Sequence, residues 1–519
     1  MKLEKLSFEE TACFSPLFID YINKKDALKP FYGHFPAPEN FEKVIKDRNF
    51  PNENRAVLSK VLKEQYGGIA HSEAVDFNIH SLNHEKTFTI TTGHQLNIFS
   101  GPLYFIYKLV SVIKACQFLK KRYPDYHFVP VYWMASEDHD FEEINHFHLF
   151  GKTYQWETDQ KGPVGRFKPH SINSVLHQLP ETVDLFEKAY LDFSTLAEAT
   201  RFFVNDLFGD QGLIVLDADR HELKKVFTPV LEKELFENTA SSLVEASSQK
   251  LNELGYKSQA YVREINLFYI ENELRERIIF KDGQYQVLNT DKTFSKESLH
   301  QMLLEHPENF SPNVITRPLY QESILPNLAY FGGPAEISYW LQLKSTFDHY
   351  NVPFPVLIPR NFSLIINKAN VKKLRKLNLN TAQLFKEAQA LKTEFLSQVG
   401  SNDFNLSNEK KDLAQVFENI KAKAIEVDPS LSGFIGAESA KTFKILDEIS
   451  KKIKKSEESK NEISLNQIDT LKEKLFPEGG LQERHDNFLN FYLNHPDFIP
   501  LLLDKFDPFD FSFNILLDE

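Results

Sequence analysis

The stretch EDHDFEEINHFH, residues 137 to 148, sets seven ionisable side chains within its first ten positions. Carboxylates and imidazoles at this density can orient an amine, take or give its proton, or meet a metal ion. Asp138, His139 and Asp140 are the candidate catalytic groups, with Glu137 beside them as a substrate contact. Mg²⁺ accompanying a nucleotide suits the set, because that ion takes one or two carboxylates plus phosphate oxygens. No metal held by the protein alone is expected: a structural zinc site needs cysteine partners and a ligand spacing that the stretch lacks, and a calcium loop needs the EF-hand glycine. The same residues also suit the charged, solvent-facing first turn of a helix, where Asp and Glu are common for dipole reasons alone.

Two more constellations invite chemistry. In GHQLNIFSGPLYFIYK, residues 93 to 108, a loop feeds a helix N-terminus, where unpaired amides and the helix dipole favour phosphate or carboxylate. Gly93 and Gly101 permit close backbone approach, His94 is a further catalytic candidate, and Gln95, Asn97, Ser100 and Lys108 add donors and charge. The pattern is neither a Walker loop nor GxGxxG, and a tight turn with Ser100 as helix N-cap explains it without any ligand. In FGGPAEISYW, residues 331 to 340, Gly332 and Gly333 open a helix that suits an anion or a carbonyl group, and Glu336 would face a bound amine. GGP is equally an ordinary loop-to-helix turn. Arg317 and Arg360 flank this region and can each clamp an anion bidentately or satisfy a structural ion pair. Trp133, in the run HFVPVYWM just before the acidic stretch, completes the binding candidates.

The elements that carry these residues read as a parallel α/β sheet. TFTITT ends at Gly93, a helix follows with Pro102 near its first turn, and HFVPVYWM forms the next strand, which is a βαβ unit. Ligands collect at the carboxyl ends of such strands, where both polar loops would lie. Mostly helical segments and the first half of the core occupy 1–150, an insertion of mixed structure 151–210, a core strand and helix 211–254 with Asp217 and Asp219 at the strand's end, and a β-rich insertion 255–310. The second half of the core follows at 311–365. From 366 to 476 the spacing of Leu413, Phe417, Ile420, Ala424 and Val427, echoed by Leu446, Ile449 and Ile453 and by Ile468, Leu471 and Leu475, predicts an antiparallel coiled-coil hairpin broken at Asp428. Such a hairpin usually serves to dimerise. The tail 477–519 regains Phe and Leu and is expected to pack on the core.

Composition narrows the classes further. At 519 residues the chain exceeds what one hydrophobic core serves, so several units are expected. With 42% hydrophobic and 26% charged residues it reads as an ordinary globular protein, and its 46 phenylalanines fit bulky core packing. A formal charge of −13 argues against a nucleic-acid partner. No apolar window is long enough to span a membrane, no signal-peptide core is visible, and the two cysteines Cys13 and Cys116 leave little scope for disulfides; a cytoplasmic location is expected.

Taken in order, GHQLNIFSGPLYFIYK, PVYWMASEDHDFEEINH, FGGPAEISYW and PEGGLQER resemble the bacillithiol biosynthesis cysteine-adding enzyme family, from about residue 87 to the tail. The resemblance implies a Rossmann-like core similar to class I aminoacyl-tRNA synthetases and cytidylyltransferases, with connecting-peptide insertions and a coiled-coil domain that makes a homodimer. It implies a ligase that adds L-cysteine to the amine of glucosaminyl-malate, with ATP as cosubstrate and the cysteine carboxylate activated, as an adenylate, before the amine attacks. In that scheme His94, Gln95 and Ser100 meet phosphate or the developing oxyanion, a group among Glu137 to Asp140 takes the amine proton, and Glu336 holds an ammonium group. The His-x-x-His motif of class I synthetases is missing, since Gln95, Leu96 and Asn97 follow His94, and no KMSKS-like loop is present. A nucleotidyltransferase or class I-like ligase acting on another amine, and a non-catalytic dimeric scaffold of the pathway, are the competing expectations.

Overall fold

Runs rich in β-branched and aromatic residues form the five strands of the central sheet in the computed structural model, which describes residues 1–399 and 406–519. In chain order they are β1 (Thr87–His94), β2 (His127–Met134), β3 (Ile214–Asp217), β4 (Asn327–Gly332) and β5 (Val356–Pro359). All neighbours pair in parallel, in the spatial order β5-β4-β1-β2-β3. Every residue of β1, β4 and β5 is buried, as expected where helices cover both faces of a parallel sheet. Helix α1 (Tyr104–Arg122) makes the crossover from β1 to β2 and buries Ile106, Leu109, Val110 and Ile113. The chain winds outward through β2 and β3, then returns to the other side of β1 with β4 and β5. That reversal leaves a switch point between β1 and β4, where open α/β sheets bind ligands.

A polar network pins the opposite end of the same strand pair. The Asn327 carbonyl oxygen accepts from the hydroxyls of Thr89 (3.2 Å) and Thr91 (2.8 Å), while its amide donates to Glu322 Oε1 at 2.7 Å. The helix that follows β3 is α2 (His221–Glu237), Glu322 belongs to α3 (Arg317–Ile324), and the helix that follows β4 is α4 (Pro334–Trp340).

By backbone contacts the chain forms two units. The larger comprises Lys5–Ser363 and Glu483–Asn514, and the smaller comprises Met1–Glu4, Leu364–Gln482 and Ile515–Glu519. In the larger unit, the strands His146–Leu149 and Lys152–Gln155 form a hairpin whose turn residues Phe150 and Gly151 have positive φ. The expected boundary at 150/151 therefore falls inside this turn. The β-rich insertion is an antiparallel sheet of Leu267–Glu271, Leu274–Lys281, Gln284–Val287, Thr293–Phe294 and Phe310–Pro312. Its last strand crosses the expected boundary at 310/311.

In the smaller unit, helices Ser407–Val427 and Leu431–Lys460 turn at Asp428, whose carboxylate accepts the Ser430 amide at 2.9 Å. A Lys410–Asp447 ion pair at 2.7 Å bridges the two helices. Neither helix contains a buried residue: Leu413, Phe417 and Leu446 are half-buried, and Ile420, Val427 and Ile449 are exposed. Ile468, Leu471 and Leu475 are buried in the helix Glu462–Leu475. Residues 400–405, inside the expected 366–476 hairpin, lie outside the described residues. Among the described residues no helix is long and apolar enough to cross a membrane.

Candidate active site

The carboxyl ends of β1, β2 and β4 open into a cleft of about 1020 Å³ in the larger unit. From β1 come Gly93 and His94, with Gln95 just beyond; from β2 come Trp133 and the following Glu137, Asp138, His139 and Asp140. Lys108 of α1, Arg317 of α3, Gly333 and Glu336 of α4, and Arg360 after β5 complete the set of expected residues that meet there. Asn97, Ser100, Gly101 and Gly332 are not part of its lining.

The loop after β1 departs from expectation in a physically clear way. Four of its amides are already used: Ile98 N–H donates to Ile144 O (3.0 Å), Phe99 N–H to the Tyr190 hydroxyl (2.6 Å), Gly101 N–H to Ile98 O (2.9 Å) and Leu103 N–H to Asp486 O (2.8 Å). The Asn487 amide covers the loop from outside, donating to Phe99 O and Gly101 O at 2.7 Å each. Those four amides are not available to cradle a phosphate. Gly101 is needed for packing, since at φ +61° a Cβ there would lie 2.5 Å from Asn97 Cβ. Ser100 does not cap α1, because the N-cap is Leu103 and the Ser100 hydroxyl is buried without a hydrogen-bond partner among the described residues.

His94 does face the cleft. Its ring stacks on Phe105 at 5.0 Å, and its Nε2 is buried without a partner among the described residues. Burial, then the nearby charges of Lys108 and Arg360, hold its pKa well below the ordinary value, so the imidazole is neutral.

Glu336 is not free to hold a substrate ammonium. The ammonium it holds is that of Lys108, 2.6 Å from Oε2. Oε2 also accepts the Gly333 amide at 2.8 Å, and Oε1 accepts the Tyr330 hydroxyl at 2.6 Å. Burial opposes the charge on Glu336, but Lys108 and these hydrogen bonds outweigh it and hold the carboxyl below its ordinary range. Gly333 thus spends its amide inside α4 and Pro334 has none, so neither of these two positions offers an anion the N–H expected of it. Gly332 contributes only a carbonyl, accepting from Arg360 N–H at 3.0 Å.

The acidic stretch is a turn between strands, not a helix start. Asp138 organises it: Oδ1 accepts the His139 amide at 2.8 Å and the Asp140 amide at 3.4 Å, and Oδ2 accepts the Gln95 side-chain amide at 2.9 Å. Gln95 donates again to Glu143 at 2.7 Å, so it braces the carboxylates and has no amide hydrogen left for phosphate. Glu137 is tied to the fully buried Lys224, which also donates to Phe310 O at 2.6 Å. Burial raises the Glu137 pKa, and Lys224 opposes the rise. Among the described residues the Asp140 carboxylate has no hydrogen-bond or ion partner, leaving it the exposed acceptor of the group.

Arg317 supplies the positive charge that the amides do not. Its guanidinium sits 5.9 Å from the Trp133 ring and 5.7 Å from the Tyr330 ring, and donates to Gln321 (3.1 Å) and Tyr339 (3.4 Å). It forms no ion pair with a carboxylate among the described residues. Arg360 differs: Nη2 donates to the buried Glu483 at 2.6 Å and Nη1 to Asn361 O at 2.8 Å, so its fork is occupied by a structural pair, and among the described residues Nε alone is unpartnered. The insertion adds Arg263, Arg275 and Arg277 to the cleft, and Arg484 comes from the C-terminal segment. These arginines, Lys224, Tyr330 and Tyr339 escaped the sequence reading; the alternating pattern of 255–310 announces the strand that carries Arg275 and Arg277 but not their place in the cleft. Among the described residues no group of three or more His, Cys, Asp and Glu side chains is placed to hold a metal ion.

Comparison with known proteins agrees with this architecture. Residues 1–361 match the model described as "Bacillithiol biosynthesis BshC, N-terminal Rossmann-like domain", and residues 363–517 match "Bacillithiol biosynthesis BshC, C-terminal coiled-coil domain". The chain is 44% identical to a protein of Flavobacterium johnsoniae over 99% of its own length and 100% of the relative's. It is 43% identical to one of Flavobacterium psychrophilum over 99% of each chain, and 42% identical to one of Cytophaga hutchinsonii over 98% of each. All three relatives carry the name "Putative cysteine ligase BshC".

Proposed function

The chain belongs to the bacillithiol biosynthesis BshC family, and from that premise we propose that its cleft joins the carboxyl group of L-cysteine to the amine of glucosaminyl-malate, completing bacillithiol. The carrying observation is the division of the cleft lining between a guanidinium without a carboxylate partner among the described residues, at Arg317, and a turn of carboxylates, at Asp138 and Asp140. The first half suits an anionic acyl donor, the second an amine acceptor.

Amide formation from a free carboxylate is uphill in water, so the acyl group is activated first, with ATP as cosubstrate. A cysteine carboxylate oxygen attacks the α-phosphorus and pyrophosphate leaves. The sugar amine then attacks the acyl carbon, AMP departs with that oxygen, and the amine proton passes to a carboxylate. Asp138, fixed by Gln95 and two amides, orients the amine; Asp140 accepts the proton. Arg317 steadies phosphate or carboxylate charge, a preorganised electrostatic role, and the His94 ring walls the β1 side of the cleft.

The two long helices of the smaller unit serve to dimerise in this reading, since Val416, Ile420, Phe434, Ile445 and Ile449 are exposed along them. A reducing, cytoplasmic setting fits Cys13 and Cys116, neither of which is in a disulfide.

Incubation with L-cysteine, glucosaminyl-malate and nucleotide, followed by mass spectrometry, tests the proposal. The cysteinyl amide is expected only when all three are present. Pyrophosphate release with a different amino acid, and none with cysteine, would favour a ligase for another substrate.

A further inference from the structure

We propose that Arg275 fixes His139 as the Nε2–H tautomer, so that this imidazole donates a hydrogen bond to an anionic group of the substrate instead of accepting the amine proton. The inference rests on the ligase reading of the cleft, but its first test does not.

Arg275 Nη1 lies 2.8 Å from His139 Nδ1. A guanidinium has only donors, so Nδ1 must present its lone pair and the ring proton must sit on Nε2. A second proton on Nδ1 would set two N–H groups and two positive charges against each other at that distance. Arg275 cannot readily turn away. Its side chain is 8% exposed, Nε donates to Ser311 Oγ (3.1 Å), Nη2 donates to Pro312 O (3.2 Å), and the guanidinium lies 3.9 Å from the Phe268 ring. Phe268 also flanks the imidazole, with ring centroids 5.6 Å apart.

The charged groups around His139 do not reverse this. Asp138 Oδ1 is 3.9 Å from Nδ1, and Glu276 and Asp140 add negative charge. Burial and then Arg275 nevertheless keep the imidazole pKa below its ordinary value. Nε2 has no hydrogen-bond partner among the described residues, and the ring lines the cleft wall. The neutral ring therefore shows the cleft an N–H, while its one lone pair is occupied. Asp138 and Asp140 are left as the proton acceptors. Arg275, carried by the β-rich insertion, is the positioning residue that makes this so.

Long-range ¹H–¹⁵N spectra of the full chain labelled at histidine, with the His139 signals identified by their loss in His139→Gln, read the tautomer directly. A single Nε2–H form is expected, retained in Arg275→Lys and replaced by a tautomer mixture in Arg275→Met. An Nδ1–H form in the parent protein, or an unchanged pattern in Arg275→Met, overturns the proposal. Kinetics give a second reading. Gln places an amide donor near the Nε2 position and cannot take up a proton, so His139→Gln should lower kcat/KM by no more than about tenfold, while His139→Ala lowers it by about a hundredfold. Equal losses in the two variants would mark His139 as the base. Absence of ligase turnover in every protein would sink the proposed function and leave the tautomer to the spectra.

Discussion

Lys108 Nζ lies 2.6 Å from Glu336 Oε2 and 2.7 Å from the carbonyl oxygen of Gly93, so one buried ammonium ties the end of β1 to α4 across the switch point. Lys108 is 3% exposed. The ion pair that looks like substrate machinery in the sequence is the brace of the cleft, and the groups left without partners around it are the ones available for binding.

Removing one partner of such a pair strands a buried charge. Lys108→Met should destabilise the larger unit by about 3–5 kcal/mol. The double variant Lys108→Met, Glu336→Gln should recover most of the loss, because both charges are then gone. Denaturant unfolding of the two singles and the double measures the coupling. Additive losses would show that the pair does not act as a brace.

Arg317 makes no ion pair among the described residues, so its replacement should spare the fold and weaken ligand binding. A charge-assisted hydrogen bond is worth about 1.5–3 kcal/mol, which corresponds to a rise of roughly ten- to a hundredfold in KM for the anionic substrate in Arg317→Met. Lysine should not rescue it, because the planar fork that stacks between Trp133 and Tyr330 is lost. Steady-state kinetics beside a melting curve separate the two effects.

Glu322, which holds Asn327 at the far end of β1 and β4, predicts a pH dependence of stability. Burial raises its carboxyl pKa to about 7, against the opposing influence of Arg48 and its own hydrogen bonds. Between the ordinary value of 4.5 and about 7 the folded chain binds this proton and the unfolded chain does not. Its contribution is therefore full below about pH 4.5 and is lost as pH rises through about 7, a change of about 3 kcal/mol. Glu322→Gln should flatten the fall in unfolding free energy between pH 5 and about 7.5, as followed by denaturant titration at several pH values. An unchanged slope would place the titration elsewhere.

How much of this could be read in the sequence depends on the range of the interactions. TFTITT and HFVPVYWM announce themselves because both are runs of β-branched and aromatic residues, the composition that favours a strand. Convergence of His94, Asp138 and Gly333 on one cleft followed from the rule for strand ends. The loop at 96–103 misled, because the Asn487 amide that seals it lies 388 positions away and leaves no local mark. Glu336 misled for the same reason: its partner Lys108 comes from a helix far earlier in the chain. The acidic stretch has the composition of a helix start, and only the hydrogen bonds converging on Asp138 from Gln95 and two amides make it a turn. Arg275 and Lys224 were illegible because each gains its meaning from another segment, His139 for one and Glu137 for the other.

The fate of one oxygen atom tests the account most directly. Cysteine labelled with ¹⁸O in its carboxyl group, supplied with ATP and glucosaminyl-malate, should pass one labelled oxygen to AMP for each amide formed, as read by mass spectrometry of the nucleotide. Amide formed with no label in any phosphate product would contradict acyl activation in this cleft.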